Sequence, residues 1–179
     1  HHRHVRVRAV DVRDQPLQLR AVGVILVSSP AARLRVERGV FPAVEARVLD
    51  LGGAVLATRP VPPDEAAVAA AMAELCRLGA ELIIVAGETS VVDLDDVTPR
   101  AIRLAGGRIE HYGAPVEPGN LLLLAYLDGR AAPLPVLGAP GCVRSRDVNI
   151  VDLLLPRLMA GETIRRRDIV ALGHGGLWG

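Results

Sequence analysis

Short apolar runs, each ending in a knot of serine, proline, glycine or aspartate, constrain this chain more than any other feature. Ala21 to Val27 ends in Ser28, Ser29 and Pro30. Ala54 to Thr58 is followed by Pro60, Pro62 and Pro63, and Leu82 to Val85 runs into the stretch Ala86 to Asp96. Val136 and Leu137 precede Gly138, Ala139, Pro140 and Gly141. A strand covered on both faces has no solvent side to alternate toward, so it reads as a continuous apolar run. Between these runs lie segments with helical spacing. Val68, Met72, Leu75 and Cys76 form one stripe, opened by Asp64 and closed by Gly79. Val151, Leu154, Leu155 and Leu158 form another, which Pro156 should bend.

Strands alternating with helices of this length predict a three-layer α/β/α domain with a mostly parallel sheet over residues 21–179. Residues 1–20 read as a separate extended or hairpin segment, with Val5, Val7 and Ala9 facing one way. The opening His1, His2, Arg3, His4 is set aside as a tag remnant or terminus. Three further local readings follow from turn and cap residues. Arg33, Arg35 and Arg38 are expected in a loop, before a helix from Val40 to Leu51 that ends at Gly52 and Gly53. Thr98 and Pro99 are expected as N-cap and first helical residue, with Val97 and Ile102 stapling that start. Arg108 to Val116 reads as extended, and Leu121 to Leu127 as an apolar segment of either type.

Composition excludes several classes of function. With 179 residues the chain buries roughly 70% of its unfolded surface, so no staples are needed. Aromatic residues make up only 2%, so the core must be aliphatic. The 21 basic residues are all arginine and balance 20 acidic ones, which does not suit a nucleic-acid or membrane-surface binder. The absence of lysine rules out a Schiff-base or P-loop lysine, leaving arginine and helix N-termini to meet any phosphate. Cys76 and Cys142 match no zinc spacing, and Cys76 belongs to an apolar stripe. No apolar run approaches the ~20 residues of a membrane span, and no signal peptide is legible. We therefore expect a cytoplasmic protein. Half the residues are hydrophobic, and the run Leu121 to Leu127 is more apolar than an exposed edge should be, which predicts a homo-oligomer.

In a parallel sheet, ligands bind beyond the carboxyl ends of the strands. Three loops lie there: Val61–Asp64, Ala86–Thr98 and Gly138–Asp147. In the middle loop Gly87 permits close backbone approach, Glu88 follows it, and Thr89 and Ser90 supply hydroxyls. Asp93, Asp95 and Asp96 then crowd carboxylates before a helix. A plain alternative is that these acids only favour the positive helix end, and that Asp64 is an ordinary N-cap. In the third loop Pro140, Gly141 and Ser145 could hold an anion on backbone N–H groups, or simply make a turn. Cys142 could meet a dithiolene or a metal, or be a small turn residue. His174 could reach back over the site, or belong to a mobile tail.

Together the motifs Val61-Pro62-Pro63-Asp64-Glu65, Gly87 through Asp95-Asp96-Val97-Thr98-Pro99, and Gly138-Ala139-Pro140-Gly141 resemble the molybdopterin-binding domain. That domain is shared by molybdopterin adenylyltransferases and molybdotransferases. The likeness covers about residues 20–160, with Asp96-Val97-Thr98-Pro99 its most specific part. Tyr112-Gly113-Ala114-Pro115-Val116, Leu124-Ala125-Tyr126 and Leu172-Gly173-His174-Gly175-Gly176-Leu177 are similar to a branch of stand-alone molybdopterin-binding proteins.

The resemblance implies binding of molybdopterin or a molybdenum cofactor derivative, in cofactor biosynthesis or insertion. By position it places Asp64 and Asp96 as catalytic residues. Gly87, Glu88, Thr89, Ser90, Asp93, Asp95, Thr98, Pro140, Gly141, Cys142 and Ser145 fall where the cofactor is held. Glu88 departs from the family, which usually has a second glycine there. Two classes of function follow. One is a magnesium-assisted adenylyl- or molybdotransferase. The other is a binding module that passes the pterin to a molybdenum hydroxylase, with neither nucleic acid nor membrane as partner.

Overall fold

The computed structural model describes residues 21–87, 92–113, 122–128, 132–139, 141–144, 148 and 150–173. Among them six strands form one sheet: β1 (Ala21–Val27), β2 (Ala54–Val61), β3 (Leu82–Gly87), β4 (Gly107–Tyr112), β5 (Leu123–Leu127) and β6 (Leu134–Gly138). Their order is β2-β1-β3-β6-β5-β4. The pairs β1–β2, β1–β3 and β3–β6 are parallel, whereas β5 runs antiparallel to both β6 and β4. The helices are α1 (Arg33–Gly39), α2 (Phe41–Asp50), α3 (Glu65–Arg77), α4 (Val92–Leu104), α5 (Ile150–Met159) and α6 (Arg166–Gly173).

Alternation along each strand divides the core in two. On one face Val24, Leu26, Ile84, Leu137 and Leu124 meet Val36, Val44, Val48, Leu154 and Ile169 from α1, α2, α5 and α6. On the other, Ile25, Ile83, Val85 and Val136 meet Val68, Met72 and Leu75 of α3 and Ile102 of α4. The three-layer α/β/α reading is correct. Met72, Leu75 and Ile83 are each fully buried, so truncating any of them to alanine should cost about 2–5 kcal/mol. The α3 and α5 stripes fall on the expected residues, and Cys76 is half-buried against its cluster.

Several local readings need correction. Arg33, Arg35 and Arg38 lie on a helix, α1, rather than in a loop. Val36 and Val40, about one turn apart, are buried and hold that helix down while the arginines stay outside. Arg33 also pairs with Glu37 at 3.0 Å. Strand β2 continues through Pro60 to Val61. It is an edge strand, where a missing N–H can face away from the only neighbour. Helix α4 starts at Val92, so Thr98 and Pro99 sit inside it and are not its cap and first residue. The expected staple pair, Val97 and Ile102, instead lies on the buried face of α4 with Ala101. That burial outweighs the backbone bond that Pro99 cannot make.

Helix α4 ends at Leu104, with Gly106 beyond it at φ 84°, a conformation that side chains disfavour. A Cβ on Gly107 would lie 2.7 Å from Leu127 and 3.0 Å from the Tyr126 carbonyl, so the next strand can begin only with glycine. Residues Leu122 to Leu127 are all buried inside this one chain. The apolarity that argued for self-association is thus the core of β5. The N-terminal segment of residues 1–20, and the extended reading beyond Gly113 to Val116, lie outside the described residues.

Candidate functional site

The strand register fixes where the carboxyl ends meet. Val27 of β1 pairs with Val61 of β2 and with Gly87 of β3, so these three ends stand level. Val85 pairs with Gly138, which brings the end of β6 within one pleat of the same line. The antiparallel pairings then carry Gly138 to Leu123, and Leu123 to Tyr112. The carboxyl end of β4 therefore lies on this edge as well. The three loops singled out in the sequence all leave from this edge of the sheet.

Asp64 follows Val61 by three residues and is exposed. Its backbone is extended, and its Oδ2 accepts a hydrogen bond from the Ala67 N–H at 2.9 Å. Asp64 is thus the N-cap of α3, as the plain alternative had it. Gly87 is the half-buried last residue of β3. Asp93, Asp95 and Asp96 lie on the first turns of α4 rather than in the loop before it. Thr98 is fully buried, and among the described residues its Oγ1 has no hydrogen-bond partner. Gly141 and Cys142 belong to a short 3-10 turn, Gly141–Arg144, just beyond β6. Glu88, Thr89, Ser90, Pro140 and Ser145 lie outside the described residues, as does His174.

That 3-10 turn is tied down by a buried cation. Arg47 of α2 donates to the Val143 carbonyl at 2.7 Å, to the Ala43 carbonyl at 3.1 Å and to Asp152 of α5 at 2.9 Å. Arginine suits this position because its planar fork can serve a carboxylate and two carbonyls at once. The turn after β6 is further registered by the Ala139 N–H, which donates to the Val85 carbonyl at 2.8 Å.

A groove of about 350 Å³ opens at the same edge, beside the ends of β1 and β2. Ser28, Ser29, Pro30, Arg33, Pro60 and Pro62 line it. The Ser28 N–H donates to the Val61 carbonyl at 3.0 Å, which holds the two strand ends together beneath the groove. Sequence reasoning missed this loop as a site. The signal was present, because Ser28-Ser29-Pro30 also follows the carboxyl end of a buried strand. The loop was read only through its arginines. It contributes two hydroxyls and a cation, groups suited to an anionic ligand.

At the far end of the edge, His111 of β4 is buried, and its Nε2 has no partner among the described residues. Burial pushes its pKa down, and the Arg166 cation adds to that. Deeper on the same face, the Tyr126 hydroxyl accepts from the Ile164 N–H at 2.8 Å and donates to the Ile164 carbonyl at 3.0 Å. This clips the segment before α6 to the sheet. Desolvation raises the Tyr126 pKa, so the hydroxyl stays protonated and can donate.

The sequence model of the family described as "probable molybdopterin binding domain" matches residues 23–160. The chain belongs to the molybdopterin-binding domain family. Solved structures share its fold. One is the molybdopterin biosynthesis MoeA protein from Pyrococcus horikosii, with TM-score 0.57 and 21% identity over 79% of this chain. This molybdopterin-binding domain corresponds to only 35% of that protein's length. Another is the tungsten cofactor synthesizing protein MoaB from Pyrococcus furiosus, with TM-score 0.52 and 21% identity. That match covers 72% of this chain and 86% of the other. No curated protein matches the sequence. Among the described residues, no helix is long and apolar enough to cross a membrane.

Proposed function

We propose that this domain holds molybdopterin, or a molybdenum cofactor derivative, across the carboxyl edge of its parallel strands as a carrier rather than as a transferase. The observation that carries the reading is the level alignment of Val61, Val27 and Gly87 with Gly138 close by. It gathers the loops after four strands where one elongated ligand can touch them all. Backbone N–H groups around Gly87 and Gly141 would meet the phosphate, with Arg33 and the Ser28 and Ser29 hydroxyls beside it.

The carrier reading is favoured over magnesium-assisted transfer by what Asp64 does. Its carboxylate serves the α3 N-terminus, a structural task that fits a cap better than a metal ligand. Asp96, its supposed partner, is carried by α4 and not by a loop free to adjust around an ion. Glu88 adds a negative side chain where a phosphate in close approach would favour bare backbone. In this reading the physiological acceptor is a molybdenum hydroxylase, the compartment is the cytoplasm, and the protein acts without nucleic acid or membrane.

Native mass spectrometry with molybdopterin, with ATP and magnesium, and with molybdate, singly and combined, tests the proposal. The expected result is a complex with the pterin and no adenylylated product. ATP-dependent adenylylation of molybdopterin by the unmutated protein would overturn the carrier reading, and failure to retain any pterin would overturn both.

A further inference from the structure

We propose that Tyr112 is a stacking residue for the planar pterin ring, so that the ligand lies along the sheet edge with its ring toward β4. The inference rests on the pterin-binding reading above and concerns a residue that reading does not use.

The argument begins with the two faces of the sheet. Val85 and Val136 both point into the cluster under α3 and α4, so Gly87 and Gly138, two residues further along, face the same side. Leu123, the direct partner of Gly138, belongs to that cluster too. Tyr112 pairs directly with Leu123 and shares its side. The face therefore presents, in order along the carboxyl edge, Gly87, Gly138, Leu123 and Tyr112. Neighbouring strands are about 4.8 Å apart, so Tyr112 stands roughly 10 Å from Gly138. A phosphate on the loops after β3 and β6 would leave the rest of a fused-ring ligand pointing along this row.

Exposure separates Tyr112 from the other aromatics among the described residues. Tyr112 is 39% exposed although it ends a strand, whereas Tyr126 is 2% exposed with its hydroxyl committed to Ile164. Phe41 packs against the opposite face. On this edge the open ring of Tyr112 offers a flat apolar face beyond Gly87 and Gly138. A heterocycle laid on a tyrosine gains both dispersion and a defined orientation, with little side-chain entropy lost.

The test measures molybdopterin affinity anaerobically by equilibrium dialysis for the parent, Tyr112→Phe, Tyr112→Leu and Tyr112→Trp. Stacking predicts that Tyr112→Phe stays close to the parent, that Tyr112→Trp binds at least as well, and that Tyr112→Leu weakens binding on the order of tenfold. Quenching of the ligand's fluorescence on binding should persist in the Phe variant and be lost in the Leu variant. If Tyr112→Leu does not fold, Tyr112→Trp decides the matter through the emission it adds to that of the parent, which a stacked pterin must quench. Parent-like affinity in the Leu variant, or added emission that stays unquenched in the complex of Tyr112→Trp, would overturn the stacking role while leaving pterin binding intact. A parent protein that retains no molybdopterin would overturn both.

Discussion

The guanidinium of Arg47 on α2 lies 2.9 Å from the carboxylate of Asp152 on α5, and through the same group it holds the Val143 carbonyl of the turn after β6. Arg47 is only 6% exposed, so this cation has been taken out of water and depends on these partners. Two helices and a binding-edge turn are thereby referred to one side chain.

Replacing Arg47 alone should therefore be severe. Arg47→Met takes the guanidinium away from both Asp152 and the Val143 carbonyl, and should destabilise the protein by about 3 kcal/mol. Asp152 remains partly solvated, which keeps the loss at the lower end of the range for buried pairs. The double variant Arg47→Met, Asp152→Leu should recover part of it. Urea midpoints for the three proteins check this, and equal midpoints for parent and single variant would refute it.

Asp64 offers a separate test of cap against ligand. Asp64→Ala removes the bond to the Ala67 N–H and should cost about 1 kcal/mol of stability, while Asp64→Asn should cost far less. If the residue only caps α3, pterin affinity should barely change in Asp64→Asn. A large loss of affinity with stability intact would return Asp64 to the binding machinery.

Thr98 carries a buried polar atom with no partner among the described residues. Its Oγ1 is buried within α4, and Thr98→Val keeps the shape while removing that desolvated hydroxyl. The variant should be more stable by about 1 kcal/mol. Thermal unfolding measures this, and a lower melting temperature would mean that the hydroxyl finds a partner in solution.

The pH dependence follows from His111. Burial first, and Arg166 second, hold its folded pKa below the ordinary 6.5. Between those two values the unfolded chain binds more protons, so stability rises with pH. The contribution is complete above about 6.5 and is lost as the pH falls from there toward the depressed folded value. Denaturant midpoints should drop between neutral and mildly acidic pH, and His111→Gln should flatten that drop. An identical pH profile for the variant would show that His111 is not responsible.

Much of this protein is legible in its sequence. Ala21 to Val27 and Leu82 to Val85 announced buried parallel strands because a strand covered on both sides must be apolar throughout. The stripes on α3 and α5 announced their inner faces by spacing alone. The loops that follow the strands, and hence the candidate residues Asp64, Gly87 and Gly141, came from the same pattern.

Other features depended on contacts between segments distant in the chain. Thr98 and Pro99 carry the local signature of a helix start. The helix nevertheless begins at Val92, which puts both residues inside it. Leu122 to Leu127 could have been an exposed association surface, and became core only because β5 lies between β6 and β4. Arg47 gave no sign in the sequence that it would be buried, since its partners Val143 and Asp152 are about a hundred residues away. The placement of Tyr112 on the binding edge likewise needed two antiparallel pairings in succession. Hydrophobic periodicity records which side chains leave water. It does not record which strand lies beside which, because that choice is made by the packing of whole faces once the chain has folded.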